Sequence, residues 1–220
     1  MNVIKHLEYF NPMDVKDPVH IIGLGAIGSH IAELLTRLGI QNFHLYDFDT
    51  VTDYNLANQM FIFSDIGEAK TTAIANMIHS INPDARITVH DKGWQGNPLT
   101  GYVFICVDNI DIRKQICHYC RCSPNVKAVF DFRMRLSDAQ HYAAAGNPKD
   151  IGALLNTMNF TQEEANAATP VSACGSTLSV IPTIKVITSL GIANFINFIK
   201  GQPLKKMILI DAFDFEVCAD

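Results

Sequence analysis

No run of basic residues occurs anywhere in this chain of 220 residues, and its formal net charge is −5. Duplex nucleic-acid binders neutralise phosphates with a cationic stripe, so the sequence argues against nucleic acid as a partner. Cysteine is sparse. Cys106, Cys117, Cys120, Cys122, Cys174 and Cys218 fall in a chain too large to need staples, and read as reduced thiols of a cytoplasmic protein. Met1-Asn2-Val3-Ile4-Lys5-His6-Leu7 lacks the apolar stretch and small-residue cleavage site of a signal peptide. Repeats and low-complexity tracts are missing as well. The one long apolar run, residues 178–199, is interrupted by Pro182, Lys185, Asn194 and Asn197. Those residues favour a core or subunit-interface helix over a membrane span, so no membrane is expected as a partner.

What the chain does have is apolar mass. Hydrophobic residues make up 48% and charged residues 18%, enough for a substantial core. Val19–Ile22 reads as a buried strand. Ile27, Ile31, Leu34, Leu35 and Leu38 then recur at helical spacing, stopped by Gly39, and Asn42–Tyr46 reads as the next strand. Such a strand–helix–strand unit implies a parallel pair with a right-handed crossover. Ala73, Ile74, Met77, Ile78 and Ile81 share a second helical face. Strands at 86–90, 102–107 and 127–130 and a helix at 110–121 continue the alternation. The pattern predicts an α/β, Rossmann-like, doubly wound and mostly parallel sheet over residues 19–220, after an N-terminal arm of residues 1–18. Residues 137–173 read as an irregular crossover. A long helix from about Cys174 and a closing hairpin over 207–211 and 213–217 complete the expectation.

Gly23-Leu24-Gly25-Ala26-Ile27-Gly28 is a G-x-G-x-x-G sequence between a strand and a helix, the context that gives this weak motif meaning. Glycines permit a tight turn and close backbone approach, and a helix N-terminus offers unpaired amides to phosphate. Asp47 lies 19 residues past Gly28 at the end of the second strand, where a carboxylate accepts from ribose hydroxyls. Asp49 follows. To this point an adenosine nucleotide is implied, and NAD fits as well as ATP.

Asp47-Phe48-Asp49-Thr50-Val51, Asn55-Leu56-Ala57-Asn58-Gln59, Gly67-Glu68-Ala69-Lys70 and Val107-Asp108-Asn109-Ile110-Asp111-Ile112-Arg113 occur in that order after the glycine loop. Together they resemble the ThiF/MoeB/HesA family of ubiquitin-like-protein activators, from about Val19 to Arg113 and more weakly to about Gly201. The resemblance implies an ATP-dependent adenylyltransferase that activates the C-terminal carboxylate of a small ubiquitin-like or sulfur-carrier protein. It also implies a homodimer. Lys70 resembles the phosphate-binding lysine and Asp108 the magnesium-linked aspartate of that family, one carboxylate with phosphates and waters suiting Mg²⁺. Asn55, Asn58, Gln59, Val107, Asn109 and Arg113 would join Asp47, Asp49 and the glycine loop around ATP.

The chain departs from the family pattern in three places. The arginine of N-L-x-R-Q is Asn58. Lys5 stands where many members carry an arginine that reaches the partner subunit's site, and lysine is a point charge rather than a bidentate fork. The cysteines Cys117, Cys120 and Cys122 cluster on one expected helix without the second pair that a zinc site needs. Cys174, at the expected start of the long helix, is a candidate acceptor of the activated acyl group, since a helix N-terminus favours the thiolate. Other readings remain open at this level. They are an adenylating enzyme for a peptide or tRNA, a degenerate nucleotide-binding scaffold subunit, and an NAD-dependent oxidoreductase.

Overall fold

The computed structural model describes residues 1–171 and 178–220. In chain order it contains β1 (Val19–Ile22), α1 (Ala26–Arg37), β2 (Asn42–Tyr46), α2 (Lys70–Ile81), β3 (Arg86–His90), β4 (Gly101–Ile105), α3 (Ile110–Cys122), β5 (Val126–Met134), β6 (Asp138–Ala145), α4 (Pro148–Asn156), α5 (Gln162–Ala167), α6 (Ile181–Ile199), β7 (Met207–Asp211) and β8 (Glu216–Ala219). The strands form one sheet in the order β3-β2-β1-β4-β5-β6-β7-β8. β1 to β5 run parallel, and β6, β7 and β8 add antiparallel. The chain first winds from β1 outward to β3, then returns to β4 on the other side of β1. That reversal opens a crevice at the carboxyl ends of β1 and β4.

Helices cover both faces. Ile27, Ile31 and Leu35 of α1 pack with Ile74 and Ile78 of α2 and with Ile184, Ile187 and Phe195 of α6 on one face. Ile116, Cys117 and Cys120 of α3 pack with Ile151 and Leu154 of α4 on the other. Each fully buried Ile or Leu contributes about 1.5–3 kcal/mol of transfer free energy. The central strands β1 and β4 are buried along their whole length, as a parallel strand between two helical layers must be.

Three expectations are corrected. Residues 138–145 form β6, and 148–156 and 162–167 form helices, where an irregular segment was expected. The local chemistry accounts for these helices: Asn147 caps α4 with Pro148 in its first turn, and Thr161 with Glu164 makes a capping box for α5. α6 begins at Ile181 rather than near Cys174, because Val180 is extended and Pro182 sits in the first turn. Cys174 itself lies outside the described residues. The last strand is β8, two to three residues beyond the expected one, after a turn in which Phe215 has φ 58°. α6 is long and apolar enough to cross a membrane by length and composition. Here it lies on the sheet, with its buried Asn194 bonded through both amide atoms to the backbone of Lys205.

A polar ladder crosses the α3-side face of β1, β2 and β3. His20 stacks on His44 with centroids 4.5 Å apart, and Tyr46 stacks on His90 at 4.1 Å. The backbone N–H of Thr100 donates to His20 Nε2 at 3.4 Å, which assigns the His20 proton to Nδ1, 3.0 Å from the Tyr46 hydroxyl. His44 Nδ1 and His90 Nε2 face one another at 3.3 Å, a pair that accommodates one proton between them. Burial first, then the neighbouring His44 and His90, hold the His20 pKa down to about 3. His44 and His90 are shifted down as well, chiefly by burial.

In an unfolded chain these imidazoles titrate near 6.5, so the unfolded state takes up protons that the folded state refuses. Stability is therefore complete above about pH 6.5 and falls as pH drops toward the folded values. His20 alone should cost about 2 kcal/mol at about pH 5. Urea unfolding should show a lower midpoint at about pH 5 than at about pH 7.5, and His20→Gln should narrow the difference. Equal midpoints in the unmodified chain would contradict this.

Candidate active site at the crevice between β1 and β4

Gly23 leaves β1 with φ 91°. A Cβ there would stand 2.8 Å from the Cys106 carbonyl carbon and 2.9 Å from the Val107 nitrogen. β1 and β4 thus turn out of the sheet with their backbones in contact. Gly28, in the first turn of α1, packs on the Gly23 carbonyl so closely that a Cβ would meet it at 1.8 Å. Gly25 differs, because its Cβ position is open space. Gly25 is also the residue before α1, and no side chain caps that helix. Among the described residues, the amides of Ala26, Ile27 and Gly28 have no hydrogen-bond partner. An uncapped helix start behind an open glycine is a cradle for an anion.

Asp47 anchors the loop. Its Oδ2 accepts from the Leu24 amide at 2.6 Å and its Oδ1 from the Asp49 amide at 2.9 Å. Each oxygen keeps a further lone pair for a ligand hydroxyl. Lys70 is the first residue of α2 and is buried. Its ammonium meets Asp49 Oδ2 at 2.8 Å, and Asp49 is half exposed. A lysine held in this way is aimed, not solvated. On the other side of the crevice Asp108 follows β4 and is exposed. The cap of α3 is Asn109, whose side chain accepts from the Ile112 amide at 2.9 Å. Asp108 is therefore free of that duty.

The Asn55–Gln59 element is partly committed to its own folding. Asn55 Oδ1 accepts from the amide and hydroxyl of Thr52, closing the short helical turn over 53–57. The Asn58 side chain donates to the Ser179 hydroxyl, and its carbonyl accepts from His30 Nε2 at 3.3 Å. The buried atoms His30 Nδ1, Asn58 Oδ1 and Gln59 Oε1 have no partner among the described residues. Burial, then the charge of Lys185, lowers the His30 pKa to about 4, so the ring is neutral.

Arg113 and Lys5, also expected around the nucleotide, have other surroundings within this chain. Arg113 points inward from α3 and forms a buried ion pair with Asp131 of β5. Asp131 also takes Arg133 at 2.7 Å, whose guanidinium in turn donates to the Thr157 carbonyl and hydroxyl. Arg113 is thereby committed to the wall beneath the site. Lys5 lies on an arm that packs at the amino ends of the strands, where His6 bonds the Leu38 carbonyl and the terminal amine meets Asp84. Within one chain it is at the opposite end of the sheet from the glycine loop.

Sequence reasoning also missed Gln162, whose Oε1 accepts from the Ile110 amide at 2.8 Å and ties α5 to the start of α3. It missed Ser179 and the Asp131–Arg133 pair, although the latter share a strand face by simple alternation. Cys117 and Cys120 are buried on α3, and burial raises both thiols, Cys120 to about 12.

Glycine loop, strand-end carboxylates and a buried helix-start lysine gather at one edge of an α/β domain. Residues 16–218 match the ThiF family, and the chain belongs to it. Among curated proteins it is similar to "Ubiquitin-like modifier-activating enzyme 5" of Dictyostelium discoideum, 36% identical over 121 residues, covering 46% of this chain and 32% of that protein. The Drosophila virilis protein of the same name is 31% identical, covering 54% of this chain and 34% of its own length. The chain thus spans about a third of these relatives. In fold it is similar to E. coli MccB crystallised with AMPCPP and MccA, with TM-score 0.75 and 19% identity over 95% of this chain and 65% of that one. PaaA superposes with TM-score 0.71 and 15% identity, again over 95% of this chain and 65% of that one.

The glycine geometry separates two substitutions. Gly28→Ala should destabilise the chain by about 3 kcal/mol or more, since the Gly23 carbonyl cannot give way. Gly25→Ala should cost no more than about 1 kcal/mol. Denaturant unfolding of the two variants checks this, and similar losses for both would refute the packing described.

Proposed function

We propose that this chain is an ATP-dependent adenylyltransferase that activates the C-terminal carboxylate of a small ubiquitin-like or sulfur-carrier protein. The observation that carries the reading is what stands at the strand ends around an uncapped helix start: a buried ammonium at Lys70, oriented by Asp49, and an exposed carboxylate at Asp108 with no side-chain bond among the described residues. Nucleotide chemistry fits these residues. The amides of Ala26, Ile27 and Gly28 would receive phosphate oxygens, Asp47 a ribose hydroxyl, and Asn55, Asn58 and Gln59 would complete the rim with Asp49, Val107 and Asn109. Asp108 would hold Mg²⁺, which neutralises phosphate charge when bound.

In the reaction, a carboxylate oxygen of the acceptor attacks the α-phosphorus of ATP. A new P–O bond forms, the α–β bridging bond breaks, and pyrophosphate leaves with the electron pair. Two anions must meet, so the work of the site is to orient them and to offset charge, which is Lys70's part. A dehydrogenase has no use for this lysine–aspartate pairing around a polyphosphate. We further propose a cytoplasmic homodimer in which Lys5 reaches the other subunit's site, and a second step in which the Cys174 thiolate displaces AMP to form a thioester. The relatives named for modifier activation support the protein acceptor, and the likeness to MccB bound to MccA supports a peptide acceptor as the second reading.

Pyrophosphate–ATP exchange, run with candidate carrier proteins and peptides in turn, tests the proposal. Exchange should depend on an acceptor with a free C-terminus. Lys70→Met and Asp108→Asn should each lower it by about 100-fold. Undiminished exchange in either variant would defeat the proposal.

A further inference from the structure

We infer that Lys185 of α6 is an additional binding residue for the polyphosphate of the nucleotide, an assignment that rests on the ATP reading above. The charge balance at one corner of the crevice leads to it. Glu33 of α1 is tightly paired with Arg37, Nε to Oε1 at 2.6 Å, while the Lys185 ammonium stands farther off, 3.4 Å from the other Glu33 oxygen. One carboxylate therefore faces two cations, and His30 beside them is neutral. One positive charge is left over, and Lys185 carries it on a side chain that is 42% exposed.

That ammonium already touches the loop over residues 58–60. It lies 3.9 Å from the Met60 sulfur, and the Met60 amide is bonded to Ser29 in the first turn of α1. Asn58, two residues earlier, is held to α1 through His30. Glu33 is four residues beyond Ser29, about 6 Å along the axis. A swing of that length along the helix, within the freedom of a four-carbon stem, brings Lys185 from Glu33 to the level of the first turn. The helix dipole draws phosphate to the same place.

The surroundings are built to receive donors. Asn58 Oδ1, Gln59 Oε1 and His30 Nδ1 are all buried acceptors without partners among the described residues. They offer an incoming ammonium three hydrogen-bond positions on its way to the phosphates. Position 58 is itself a neutral amide and adds no positive charge.

Calorimetric titration of the full chain with MgATP, inorganic pyrophosphate and AMP tests the assignment, comparing the unmodified chain with Lys185→Met. The variant should bind ATP and pyrophosphate about tenfold more weakly and AMP as before, the size expected for one charged hydrogen bond. Unchanged affinity for ATP and pyrophosphate would overturn the assignment. So would an equal loss for all three ligands, which would mark Lys185 as support for α6 packing. An unmodified chain that binds neither ATP nor pyrophosphate would overturn the nucleotide reading itself, a result separable from failure of the variant alone.

Discussion

The backbone contact between the ends of β1 and β4 governs the rest of the site. Gly23 turns against Cys106 and Val107 with no room for a side chain, and Gly28 closes on the Gly23 carbonyl. These contacts bring the start of α1 to the point where the sheet reverses its winding. Asp47, bonded to the Leu24 amide, then sets the loop relative to β2. Because three strands and a helix start meet through main-chain contacts, the position of the anion cradle is set by packing. Polar side chains need only be added around it.

Charge is distributed around that cradle in layers. Lys70 is oriented by Asp49, and Lys185 shares the single carboxylate of Glu33 with Arg37. Beneath the crevice, Arg113 and Arg133 share the wholly buried Asp131. Two guanidinium groups on one carboxylate leave a positive charge in the wall, and Arg133 further lies 4.5 Å over the Tyr142 ring. Removing one partner from such a group costs about 3–5 kcal/mol, because the remaining charge is stranded. The wall is thus fixed by ion pairs, whereas Lys185 and Asp108 are exposed to an incoming ligand.

The strand–helix alternation through β5 was legible because the helices are periodic and the strands between them are short apolar runs. Lys70, Asp47 and the glycine loop were legible because each lies at a strand end or a helix start, where position in the chain implies position in space. The partner of Arg113 was not legible, for the opposite reason. The direction of that arginine depends on the rotation of α3, which the buried Asp131 eighteen residues away decides. Residues 138–145 failed as a sequence reading because β6 pairs antiparallel with strands on both sides, a tertiary effect that weak local patterning does not reveal. Lys185 carried no local signal at all, since its meaning comes from Glu33, more than a hundred residues earlier.

The account stands on the claim that this crevice accepts a nucleotide through its polyphosphate. An equilibrium titration with MgATP in the presence of NAD measures that directly. ATP should bind saturably, and NAD should fail to displace it. Saturable NAD binding that ATP cannot displace would contradict the claim.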